Sequence, residues 1–205
     1  MDNGDSRQEA LPQETNWEAL GSRILELIDE DSLESKLEAF DLACELFQHA
    51  PDKTPSRMKL EYAMDELKEV IKRWPYSSAN IGKMEQCAQH LRDHAEKHVL
   101  SADAVRLDSA TLMKMDFSLE EIGAIHDAGG DLARAKMQEM LNFTEGSLAK
   151  ALAKSDNPDK LRKAAALYEE LEKKDYDFGN KLQYQVAGNA VKKKLEEAEG
   201  REMQK

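Results

Sequence analysis

Residues 87–99 read CAQHLRDHAEKHV and hold three of the chain's five histidines, His90, His94 and His98, with Cys87 three residues before the first. Set at 100° per residue, His94 and His98 fall about 20° to either side of Cys87 and His90 about 60° away. All four therefore share one side of a helix. Met84, Ala88, Leu91, Ala95 and Val99 cluster about 80° from Cys87, so the imidazoles border a buried stripe. Two histidines at i and i+4 can chelate one metal ion. Three in a row cannot, because His90 and His98 are about 12 Å apart along the axis. An ion held by His90 with His94, or by His94 with His98, needs further ligands from another helix.

A second group lies in EEIGAIHDAGGD, where His126 precedes Asp127 at the end of an apolar helix. The doublet resembles that of HD-domain phosphohydrolases, an all-helical, metal-dependent family. The resemblance implies an earlier metal-ligand histidine, for which His94 or His98 stands. It also implies a late aspartate, for which Asp156 in AKSDNPDKL stands. Such a centre would hold divalent metal ions and activate water for attack on phosphorus. The glycines after the doublet depart from the family's usual continuation. FSLEEIGAI also resembles the second helix of helix-turn-helix regulators, but the helix after it is not basic. No Walker A loop, G-x-S-x-G, C-x-x-C or H-E-x-x-H occurs. None of the histidines has a Glu three residues before it, which removes the helical di-iron pattern.

The elements that must position these groups are helices. The chain has 205 residues, 40 % of them hydrophobic and 34 % charged, with ten Gly and five Pro. Leu, Ala, Glu and Lys dominate, the residues that lose least on entering a helix. Asn16 can cap a helix carrying Trp17, Leu20, Ile24, Leu27 and Ile28. Ser32 can cap one carrying Leu33, Leu37, Phe40, Cys44 and Phe47. Thr54-Pro55 opens a third helix through Leu60, Ala63, Leu67 and Val70, which Pro75 ends. Further starts are read at Ser77 or Ser78, at Ser101, at the capping box Ser118-x-x-Glu121, at Asp131, at Thr144 or Ser147, and at Asn157-Pro158. A last helix runs through Leu182, Val186 and Leu195. Residues 158–199 resemble a tetratricopeptide hairpin in the placement of Tyr184 and Ala187, and depart from it at Tyr168, where that repeat has a small residue.

The expectation is an all-α, irregular bundle of about ten short-to-medium helices. Its divisions are a disordered tail at 1–14, an acidic helical hairpin at 15–50, a main bundle at 51–199 and a frayed end at 200–205. Net charge is −12, and residues 1–50 carry 13 acids against 3 bases. That field repels a duplex, so no nucleic-acid partner is expected. It would steer a basic protein partner instead. Cys44 and Cys87 read as buried thiols of a cytoplasmic protein, although a tail of this composition also suits a specialised secretion system. No run approaches the roughly 18–20 apolar residues of a membrane span. The leading expectation is a protein–protein interaction module (an adaptor, a chaperone-like partner or a regulator) without a cofactor. Nine methionines support it, with Met113, Met115, Met137 and Met140 close together in the chain. The oligomeric state is not legible.

Overall fold

The computed structural model describes residues 16–49, 53–97, 119–127, 131–175 and 178–202. The tail at 1–14 therefore lies outside the described residues, as do the helix start at Ser101 and the capping box at Ser118. Among the described residues there are eight α-helices and no strand: α1 (Trp17–Asp29), α2 (Leu33–His49), α3 (Lys53–Arg73), α4 (Ile81–Lys97), α5 (Leu119–Asp127), α6 (Leu132–Ala153), α7 (Pro158–Lys174) and α8 (Phe178–Glu202). A single 3₁₀ turn, Ser78–Asn80, leads into α4.

The helix starts follow the side chains that can satisfy orphan backbone donors. Asn16 Oδ1 accepts from the Ala19 N–H at 3.0 Å. Ser32 Oγ accepts from Ser35 at 3.0 Å, and Asp131 Oδ1 from Arg134 at 3.1 Å. Asn157 Oδ1 takes both Asp159 and Lys160, with Pro158 at the first helical position. Helix α3 begins at Lys53, before the expected Thr54 cap, and Pro55 stays inside the first turn, where no N–H is needed.

Two differences from the expected ten helices have plain causes. One expected helix, read as starting at Ser101, lies outside the described residues. The other, read as starting at Thr144 or Ser147, does not begin there, because α6 runs unbroken through both. Thr144 Oγ1 donates back to the Met140 carbonyl at 2.9 Å instead of capping a new turn.

Helix α6 is the centre of the fold, with 16 of its 22 residues buried. It packs against α2, α3, α4, α5 and α7. Its first half joins a core formed with α1 to α5, around Ile24, Phe40, Leu60, Leu67, Leu91 and Ile125. Its second half joins a core of Ile81, Met84, Leu161, Tyr168 and Val191 from α4, α7 and α8. Helices α2 and α3 share the first core across the boundary drawn near residue 50. Met137 and Met140 belong to this core, at 1 % and 0 % exposure, so they are not an adaptable surface. Met113 and Met115 lie outside the described residues.

Helices α7 and α8 form a close hairpin. A Cβ on Gly188 would stand 3.2 Å from the Tyr168 Cβ. The small residue that the repeat-like pattern wants at Tyr168 is thus supplied across the interface, by Gly188. Leu182 and Val186 correct the sequence reading of α8: they face outward, and Tyr184, Ala187, Val191 and Ala198 form the packed stripe.

Candidate functional site

The histidine helix delivers two imidazoles to one carboxylate. His90 Nε2 lies 2.7 Å from Asp41 Oδ2, and His94 Nε2 lies 3.5 Å from Asp41 Oδ1. The rings stack with centroids 6.3 Å apart and planes 6° from parallel. Asp41 Oδ1 is buried and accepts no hydrogen bond. Helix α2 presents Asp41 from the flank of its buried stripe, four residues after Leu37 and three before Cys44. That position, an acid beside a core face, was the sequence signal for it. The partner helix was not legible.

The cysteines around this carboxylate are held as thiols. Burial pushes the Cys44 thiol well above its ordinary range, and the charges of Asp41 and Asp131 add to the effect. Burial pushes Cys87 up to about 12, against a hydrogen bond with Thr144 (Sγ to Oγ1 3.9 Å) that lowers it. Neither offers the thiolate that nucleophilic or ligand chemistry uses.

The remaining residues of the metal-site reading are placed as follows. His98 lies outside the described residues, as does the side chain of Asp127. His126 is exposed near the end of α5. Asp156, after α6, pairs with Lys194 of α8 at 3.2 Å and is 80 % exposed. His94 is turned to α2 and Asp156 to α8, so the structure does not bring these two together. Among the described residues, no three His, Cys, Asp or Glu side chains form a group that could hold a metal ion.

A second buried polar contact escaped the sequence reading. Glu145, at 2 % side-chain exposure in α6, takes Arg92 Nε at 3.0 Å and Nη2 at 2.6 Å from α4. Both donors converge on Oε1, and Oε2 is buried without a partner.

No family model, curated protein or solved structure matches the chain. What it does must be argued from its own surface. A cleft of about 450 Å³ between α2, α3 and α4 is lined by charges of both signs around Trp74, with Arg73 tied to Asp31 at 3.9 Å. The large apolar side chains left in solvent are more selective. Met58 and Tyr62, one turn apart on α3, are 67 % and 44 % exposed, and Leu25 of α1 is 44 % exposed. Gly21 of α1 meets Lys59 of α3. Further along, the buried Lys36 joins the Ile28 carbonyl of α1 to Glu66 of α3. These two crossings run in the same order along both helices, so Leu25 and Tyr62 sit at one level. Around them Glu18, Asp29 and Asp65 are exposed. From Glu61 to Glu69, α3 carries four acids and one lysine; Glu61, Glu66 and Glu69 are paired with Arg57, Lys36 and Lys72, which leaves Asp65, and Arg57 and Lys59 flank Met58. On α8, Leu182 and Val186 are 51 % and 63 % exposed.

Proposed function

We propose that the chain is a helical protein–protein interaction module of the adaptor or regulatory kind, and that α1 and α3 form its contact face for a basic, amphipathic segment. The observation that carries this reading is the Met58–Tyr62 pair. Two large apolar side chains at i and i+4 in solvent, beside a third on the adjoining helix, are anchor positions for a partner. The exposed acids Glu18, Asp29 and Asp65 supply attraction for a basic partner and raise its rate of encounter. A reducing compartment such as the cytoplasm suits the two free, buried thiols. Among the described residues, no helix is long and apolar enough to cross a membrane.

The test is chemical crosslinking in the native cell followed by mass spectrometry, comparing wild type with Met58→Glu/Tyr62→Glu. Both side chains are exposed, so the variant keeps its helical circular dichroism. Loss of the crosslinks that map to α1 and α3 is the expected result. An unchanged crosslink set sinks the assignment of this face.

A further inference from the structure

We draw no further inference here: the strongest candidate, the outer face of α8 with Leu182 and Val186 in solvent, carries none, because exposed Glu196 and Glu197 follow Lys193 there and nothing in the structure shows what covers it.

Discussion

Replacing Arg92 by methionine should be among the most damaging single changes in the protein. The guanidinium is the hydrogen-bonding partner of a carboxylate that is 2 % exposed, and it contacts only Oε1. Oε2 is already buried without a partner. Removing the cation strands a charge inside the α4–α6 interface, which costs roughly 3–5 kcal/mol in comparable sites. Against a total stability of about 5–15 kcal/mol, that is a large fraction. At a urea dependence of about 2 kcal/mol per M, the unfolding midpoint falls by roughly 1.5–2.5 M. The reverse change, Glu145→Leu, leaves an arginine that is 38 % exposed and can turn to water. It should cost about 1 kcal/mol. The double variant Arg92→Met/Glu145→Leu replaces the pair by apolar groups of similar size and should return close to wild type or exceed it by about 1–4 kcal/mol. Urea titrations followed by far-ultraviolet circular dichroism measure all four proteins. An Arg92→Met loss below about 1 kcal/mol, or a double variant as weak as Arg92→Met, refutes the reasoning.

Alkaline pH should unfold the protein through three buried acids. Burial pushes Cys87 up to about 12 from an ordinary 9.0, pushes Cys44 up as well, and takes Tyr168 to about 12 from 10.0. The unfolded chain releases these protons first, so their contribution is complete below about pH 8 and is lost as pH rises toward 12. Urea midpoints should fall between about pH 8 and pH 11, less steeply in Cys87→Ala and Tyr168→Phe. A midpoint flat over that range would contradict the burial argument. The helical glycines should divide by neighbourhood. A methyl on Gly123 meets nothing within 4 Å, so Gly123→Ala gains up to about 1 kcal/mol of helix propensity, or roughly 2–4 °C in Tm. At Gly188 the methyl meets the Tyr168 Cβ at 3.2 Å, an atom fixed to the α7 backbone, so Gly188→Ala should lower Tm. Equal gains at both positions would show that the α7–α8 hairpin is loose.

The caps were readable because capping is local. Asn16, Asp131 and Asn157 each bond an N–H within three residues. The stripes of α2 and α3 were readable because each helix buries one face, so Phe40, Cys44, Leu60 and Leu67 repeat at 3–4 spacing. Helix α6 defeated the same method. It is enclosed by neighbours, so Asn142, Thr144, Glu145 and Ser147 are buried beside leucines and the period disappears. Two polar residues inside it then looked like caps. Helix α8 failed for the opposite reason. It carries an inner stripe and an outer one, and spacing alone does not say which stripe has a helix against it. Asp41 meeting His90 and His94, and Arg92 meeting Glu145, depend on which helices become neighbours, which no local signal contains.

Polar side chains at the helix interfaces tie helices together. Asp41 joins α2 to α4 through His90, Arg92 joins α4 to α6 through Glu145, and Lys68 of α3 reaches Glu139 of α6 at 2.7 Å. Gln48 of α2 donates to Asp131, the cap of α6, at 3.3 Å. Each of these contacts has an end on a different helix, and together they bind α2, α3 and α4 to one another or to α6. A helix that slid by one turn, about 5.4 Å, would break its contact, and at Glu145 and Asp131 it would leave a buried carboxylate without that partner. Apolar stripes alone tolerate such a slide far better, since leucine on leucine is forgiving of register. In this fold the interior polar groups therefore fix register. Among the described residues, the large apolar side chains left in solvent are Leu25, Met58, Tyr62, Leu119, Leu182 and Val186, and it is at these outer faces that the protein has something to offer a partner.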